Sequence, residues 1–448
     1  MTSLPLADAA RPRRFPRIRR RWGGPALVAL AAAITVLTWA TSRPMEPTAA
    51  LLTVSQLFAS LALVAFCLVF AISARSSLVD RVFGGLDKAY VWHKWLGIAA
   101  LSAVLVHKMT AAPSDSEDAR MLGNLAMFAL LILTIVAMAA RKMRHETWKL
   151  VHKLMAIPYA IGLFHYCSHS TYGAFALQPL SLWLGIVNVV GAVCAIYTLA
   201  GYRFLGFTRR VTVASVTPTA RDTVELVLEP RTRRPPRIRP GQFVFVKGRI
   251  AGTRFPAHPF TVSAVGEGGI ALSIKGQGRH TSVLVSKVRA GDVLRLSRGY
   301  GRFNPAAGGE HQVWVAGGIG IAPFRACARA GLAAGHQVDL FFAYDDPDTA
   351  PHLEEVSAWD SDSFRVHLVD RSRHGLLTAT KMEEILSTPP QDIYFCGPPP
   401  MLHALRRGLP TTRLGRARLH FDEFSLGRPE PRPRTRQPRR RSRRKVAD

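Results

Sequence analysis

Four histidines interrupt two otherwise apolar stretches. His93 and His107 bracket "HKWLGIAALSAVLVH", and His152 and His165 bracket "HKLMAIPYAIGLFH". An ionisable side chain at membrane depth is costly and points to function. Imidazole is a strong neutral ligand for iron, and two imidazoles from facing helices fill both axial positions of a haem. Separations of fourteen and thirteen residues correspond to about 20 Å of helix rise. Pairing His93 with His152 and His107 with His165 therefore places two b-type haems one above the other, a route for electrons. Fourteen residues is nearly four turns, so His93 and His107 share a face. Thirteen residues turns the second pair apart by more than roughly 100° on an ideal helix. Pro158, between His152 and His165, is the residue able to kink or unwind that segment. A single intramembrane histidine is as often a hydrogen-bonded packing residue; matched inner and outer pairs weigh against that. His145 and His169 fall in loops or at helix ends and read as surface residues, with His169 an alternative outer ligand.

The elements that must hold these rings are apolar runs near or within the roughly 17–25 residues that span a bilayer. There are six: Pro25–Ala40, Leu51–Ser73, Val91–Ala111, Met121–Ala140, Val151–Cys167 and Leu177–Ala200. The first lacks a convincing small-residue cleavage site and reads as a helix, not a signal peptide. Arg and Lys crowd the N-terminal tail, the Arg75–Lys88 segment, "RKMRHETWK" and "YRFLGFTRR", while the alternate loops include the acidic "APSDSEDAR" and "SHSTYGAF". By the positive-inside rule, both termini and everything after Gly206 are expected in the cytoplasm of a multi-pass cell-membrane protein.

The formal net charge of +29 over 448 residues is concentrated in "RPRRFPRIRRRW" and "RPEPRPRTRQPRRRSRRKVAD". Both tails have almost nothing to bury and read as disordered. They lack interleaved stacking aromatics, so nucleic acid is not the expected partner, and contact with anionic lipid headgroups is. The five cysteines show no zinc or disulfide spacing.

From Val211 to about Phe303 come short β-patterned runs broken by Gly and Pro, among them "TVELVLEP", "GQFVFVKG", "HPFTVSAV" and "IALSIKG". They suggest a small antiparallel barrel. "HQVWVAGGIGIAPFRACARAGLA" then reads as a buried strand, a turn at Gly317, Gly318 and Gly320, and a helix. That arrangement lets backbone amides and a helix N-terminus meet a pyrophosphate. Further strands give an α/β sheet. After "VDLFFAY", Asp345 and Asp346 stand where a dinucleotide domain meets the adenine ribose. Carboxylates there suit two hydroxyls and repel a 2′-phosphate, so NADH is the expected donor. NADPH binding is rescued only if Arg371 and Arg373 point to the same pocket.

In order and spacing, "HPFTVSA", "IKGQGRHTSVL", "GGIGIAPF" and "YFCGPPPML" resemble the ferredoxin-reductase-type flavoprotein module. Preceded by six spans with four histidines, the whole resembles the ferric reductase and NADPH oxidase superfamily in its compact bacterial form, over about Arg75 to Leu426. The resemblance implies a six-helix bis-haem bundle, an antiparallel β-barrel FAD domain and an α/β Rossmann-like nucleotide domain. The expected boundaries are a basic tail 1–24, the haem-binding membrane domain 25–203, the FAD barrel 208–305, the NAD(P) domain 306–427 and a basic tail 428–448. It also implies that His258, Pro259, Phe260, Thr261 and Ser263 line the flavin, with Thr261 near the reactive ring edge. The segment with Lys275 and Thr281 holds the FAD pyrophosphate, although Gln277 and Arg279 depart from the family's apolar and acidic pattern there. Gly317, Gly318, Gly320 and Pro323 match the dinucleotide loop. Cys396, Gly397 and Pro398 match the turn approaching the nicotinamide, and Phe424 matches the aromatic covering the flavin.

Electron counting then orders the cofactors. Nicotinamide gives two electrons as hydride, haem iron takes one, and FAD converts between them. The expected acceptor is a ferric chelate, with Asp115, Glu117 and Asp118 of the outer loop offering carboxylates that attract metal cations. The alternatives are oxygen reduced to superoxide, an electron-donor subunit serving a periplasmic protein, and a metal-ion transporter whose histidines bind the ion directly.

Overall fold

The computed structural model describes residues 23–421 except 45–48, 112–115, 140–144, 232–237, 267 and 332–334. Phe424, Asp115 and most of both basic tails lie outside the described residues. Eight helices come first: α1 (Gly23–Thr41), α2 (Ala50–Ser73), α3 (Ser77–Phe83), α4 (Leu86–Thr110), α5 (Glu117–Met138), α6 (His145–Lys153), α7 (Ala156–His169) and α8 (Pro179–Ile196). Among the described residues, five helices are long and apolar enough to cross a membrane. They are α1, α2, α4, α5 and the run Pro179–Gly201.

The expected fifth span differs. It is two helices, α6 and α7, separated at Leu154 and Met155. The chain tightens there, with Leu154 N–H donating to the Val151 carbonyl at 2.9 Å and Ile157 N–H to Leu154 at 2.9 Å. Pro158 explains the position of the break. Proline lacks an N–H and clashes with the preceding turn in a continuous helix, but fits the first turn of a new one. It is the third residue of α7. The sixth span ends in a π turn, Tyr197–Gly201, and a short helix α9 (Tyr202–Leu205).

Six strands follow: β1 (Arg209–Ala220), β2 (Thr223–Pro230), β3 (Phe243–Ile250), β4 (Thr253–Gly266), β5 (Gly269–Lys275) and β6 (Val293–Tyr300), with helix α10 (Arg279–Lys287) between β5 and β6. They close into a barrel in the order β1-β2-β5-β4-β3-β6. Val213, Leu226, Val244, Val262, Leu272 and Leu294 fill its interior, each fully buried. Such inward apolar positions along successive strands are what closes a small barrel.

The last layer is a parallel sheet of β7 (His311–Gly317), β8 (Gln337–Tyr344), β9 (Phe364–Asp370), β10 (Asp392–Cys396) and β11 (Arg418–Phe421), in the order β11-β10-β7-β8-β9. Helices α11 (Ala322–Arg329) and α12 (Leu353–Ser357) belong to this layer. β10 is buried throughout and β7 nearly so, as expected of parallel strands covered on both faces. The strand order reverses at β7, which makes the ends of β7 and β10 the topological switch point where ligands bind in open α/β sheets.

The barrel is seated on the helix ends. Phe207, Phe243, Phe245 and Tyr300 share one apolar cluster with Val79, Phe83 and Leu86. Arg75, at a left-handed φ of 53°, lies over the Phe245 ring at 4.6 Å and donates to the Tyr90 hydroxyl at 2.7 Å.

Candidate functional site

The membrane half is organised by two antiparallel helices, α2 and α4. His93 Nδ1 faces the Val69 carbonyl at 3.2 Å, and His107 Nδ1 faces the Ser55 carbonyl at 3.0 Å. A carbonyl only accepts, so Nδ1 must carry the proton in both rings, which leaves the Nε2 lone pair free for a metal. The Ser55 hydroxyl lies 2.9 Å from the same Nδ1 and also donates to the His107 carbonyl. His152 stands across from His93, ring centroids 6.0 Å apart and tilted by 63°. The His165 ring packs beside Gly123 of α5, where a β-carbon would come within 3.5 Å of it. His169 lies next to His165 at 5.6 Å.

These residues fit a haem by three observations. The rings of His93 and His152 are spaced as two imidazoles on one iron would be, with metal–nitrogen bonds of roughly 2 Å on each side. Nδ1 of His152 and of His165 is buried without a hydrogen-bonding partner, so each ring carries a nitrogen that the protein itself leaves unsatisfied. Two helical glycines face open space: a β-carbon on Gly97, one turn beyond His93, or on Gly162, one turn before His165, would meet nothing within 4 Å. Glycine in a helix interior costs about 1 kcal/mol relative to alanine, so open space beside two such residues suits a flat macrocycle. Among the described residues no group of three or more His, Cys, Asp or Glu could hold a bare metal ion.

In the barrel, His258, Pro259, Phe260 and Thr261 are half-buried residues of β4. His258 Nδ1 takes the Pro256 carbonyl at 2.8 Å, and its ring lies 5.2 Å from that of His280. Thr261 pairs across the ladder with Phe243 of the cluster shared by barrel and helices, so this strand runs beside the surface seated on α4. Ser263 is fully buried, and its hydroxyl donates to Glu225 at 3.1 Å. Lys275 ends β5. Thr281 is the third residue of α10, where its hydroxyl accepts from the N–H groups of Gln277 at 3.1 Å and Gly278 at 3.0 Å. Its role is to shape the turn before the helix.

At the switch point the glycine loop and the Cys396 turn meet backbone to backbone. A β-carbon on Gly320 would collide with the Cys396 carbonyl, and one on Gly317 would fall 2.7 Å from Pro398 Cδ and 3.3 Å from Gly397 Cα. Gly318 has a left-handed φ of 52°, and a side chain there would project into open space, where a ligand would approach. Pro323 is the second residue of α11. After β8, Asp346 Oδ1 is buried and unpartnered, an acceptor in search of a donor. Asp345 pairs with Arg371 at 3.1 Å, whereas Arg373 lies 3.6 Å from Asp370. Sequence reasoning missed Arg325, whose side chain is buried between barrel and sheet; an arginine inside the apolar "APFRACA" was its only signal.

Three family models match in the order of these layers: a ferric reductase like transmembrane component over 58–163, an FAD-binding domain over 208–303 and an oxidoreductase NAD-binding domain over 314–407. The chain carries the modules of the ferric reductase superfamily. Its barrel is the FAD-binding domain, its parallel sheet the NAD-binding domain, and the whole is a flavin-dependent NAD(P)H oxidoreductase joined to a ferric-reductase-like membrane domain. The electron transfer subunit of dihydroorotate dehydrogenase B from Bacillus caldolyticus is 28% identical over 210 residues, 45% of this chain and 79% of that protein. A flavohemoprotein of Bordetella pertussis is 26% identical over 272 residues, 53% of this chain and 66% of that protein. Among solved structures, the FAD/NAD-binding domain of nitric oxide dioxygenase from Vibrio cholerae O1 biovar El Tor covers 48% of this chain and 98% of its own, at 18% identity and a TM-score of 0.41.

Proposed function

We propose that this ferric-reductase-like protein carries electrons from cytoplasmic NADH across the cell membrane to an acceptor on the outer side, with ferric chelates as the first acceptor. When bound, FAD would accept hydride and release electrons singly, and two b-type haems would accept and pass them singly. The chain's own residues position these groups. His93 and His152 hold the inner haem, and His107 and His165 the outer one. Thr261 lines the flavin edge, with His258, Pro259 and Phe260 on the same strand. Gly317, Gly318, Gly320 and Pro323 receive the dinucleotide, and Cys396, Gly397 and Pro398 bring backbone against the nicotinamide. No proton donor is needed in the membrane.

The observation that carries this function is the Nδ1 pinning of His93 and His107 by two carbonyls of one helix. It presets both rings as ligands at two levels and supports haem over a transporter's ion site. The acceptor rests on less. Glu117 and Asp118 open α5, and a carboxylate cluster there would draw cationic metal toward the outer site. Anaerobic addition of NADH to the purified protein should bleach the flavin and then raise reduced b-type haem bands. Subsequent ferric citrate should reoxidise the haem faster than air does. Faster reoxidation by oxygen would favour superoxide production, and flavin bleaching with no haem band would overturn the route.

A further inference from the structure

Arg325 is 3% exposed, yet it carries a charge and every one of its donor nitrogens is engaged. Its Nε donates to Glu355 Oε2 at 2.8 Å. Its two terminal nitrogens grip Glu225 of β2 end-on, Nη1 on Oε1 and Nη2 on Oε2 at 3.3 Å. Nη1 also reaches the Ser263 carbonyl at 3.4 Å, while the Ser263 hydroxyl donates to the same Glu225 at 3.1 Å. Arg329 takes the other oxygen of Glu355 at 3.4 Å, so two guanidinium groups meet two carboxylates. The same seam holds Ser273 of β5 to His352 at 2.8 Å, and Arg221 to Asp348 at 2.7 Å.

What matters is where these partners sit. Ser263 lies two residues beyond Thr261, on the strand of the flavin edge. Arg325 lies two residues beyond Pro323, at the head of the helix that follows the dinucleotide loop. Glu355 lies at the end of the segment that starts from Asp345 and Asp346. One guanidinium therefore spans three segments, proposed respectively for the flavin, the dinucleotide and the adenine ribose. Buried ion pairs are weak sources of net stability, since apolar replacements of similar volume are often as stable or more so. A bidentate fork does fix direction.

We propose that Arg325 is a positioning residue that sets the approach of nicotinamide to flavin by locking the nucleotide sheet against the barrel through Glu225. This rests on the proposed NADH-to-FAD route. In that step the C4–H bond of NADH breaks and the hydrogen leaves with its electron pair for the flavin. Two electrons and one proton move together, NADH becomes NAD+, and no other reactant is required. Displacement of reacting atoms by 1 Å can cost on the order of 100-fold in rate.

The test uses the full-length protein and the variants Arg325→Met, Arg325→Lys and Glu225→Gln. Anaerobic stopped-flow with NADH and with 4-deuterated NADH measures the limiting rate of flavin bleaching, and photoreduction of the flavin measures the later flavin-to-haem step separately. Hydrogen exchange on flavin-free protein reads the seam without any turnover. The expected result is a limiting bleaching rate lowered by roughly 10–100-fold with a fuller deuterium effect. NADH affinity and the photoreduced flavin-to-haem rate should stay within twofold, and exchange should rise at 322–329 and 346–356 but not across the barrel. Lysine should not rescue, because it cannot make the fork. If Arg325→Met fails to retain FAD, the other two variants decide. A bleaching rate within twofold of wild type in a folded variant overturns the proposal, as does faster exchange throughout the barrel in all three. Absence of bleaching in the wild type would instead sink the underlying route.

Discussion

The Ser55 carbonyl accepts from Nδ1 of His107 at 3.0 Å, and the contact repeats fourteen residues along both helices, where the Val69 carbonyl meets His93 at 3.2 Å. Antiparallel packing of α2 on α4 makes the repetition automatic: stepping forward on one helix steps back on the other. Both imidazoles are thereby fixed in the same tautomer, with the same edge free.

The first prediction concerns His93. His93→Leu removes one axial imidazole of the proposed inner haem and leaves the outer pair about 20 Å away along α4. The protein should keep about half its haem, since one ligand pair remains intact. NADH should still bleach the flavin, while the remaining haem stays oxidised over the turnover time. Visible spectra during an anaerobic NADH titration read both. Haem reduction at the wild-type rate would show that electrons enter elsewhere.

Gly97 and Gly162 supply the second. Replacing a helical glycine that touches nothing should stabilise the helix by about 1 kcal/mol for alanine. A larger side chain should fill the space reserved beside the imidazole. Gly97→Leu and Gly162→Leu are expected to fold into membranes at wild-type levels yet bind less haem, Gly97→Leu at the inner site and Gly162→Leu at the outer. Unchanged haem content in both would mean the open space serves something else.

Nucleotide choice gives the third. Asp345 repels a 2′-phosphate, but its pairing with Arg371 at 3.1 Å brings a cation to the same place. NADH should be preferred by the wild type. Asp345→Ala should free Arg371 and move the NADPH to NADH efficiency ratio upward by roughly tenfold, about 1.4 kcal/mol. Adding Arg371→Ala should return it. Steady-state kcat/KM for both nucleotides decides, and a wild-type preference for NADPH would reverse the assignment.

A fourth follows from His352. Burial, and then the adjacent Arg325, depress its pKa from 6.5 to about 3, so it is neutral in the fold. A depressed pKa means the unfolded chain takes up the proton first. His352 thus costs nothing above pH 6.5, and stability is lost as pH falls below that toward 3, by up to about 1.4 kcal/mol per pH unit. His352 adopts a left-handed φ of 59°, which asparagine tolerates. His352→Asn should therefore melt less steeply with acid than wild type between pH 6.5 and 4.5. Parallel melting curves would refute the linkage.

Much of the architecture was legible because its signals are long-range patterns. Apolar runs of membrane length, alternating strands and a glycine turn between strand and helix each carry their own periodicity. The break at Leu154 was less so: Pro158 announces a disturbance, but whether the helix kinks or restarts depends on packing against neighbours. The Ser55 and Val69 contacts were invisible, because a backbone carbonyl has no letter of its own. Arg325 was hidden for a related reason. Its partners come from β2, β4 and α12, and only the folded chain brings Glu225, Ser263 and Glu355 to one guanidinium. Thr281 was legible as a helix-start residue, but the bonds of its hydroxyl to its own turn at Gln277 and Gly278 were not.

The central claim, two haems held by two histidine pairs, is tested most directly by counting haem per polypeptide in purified wild type and in His107→Leu. Two and one are expected, with NADH still reducing flavin and the single remaining haem in the variant, and with ferric chelate reduction at the outer face collapsed. Equal haem in both proteins, together with undiminished outer-face reduction by His107→Leu, would contradict the account and turn attention to His169.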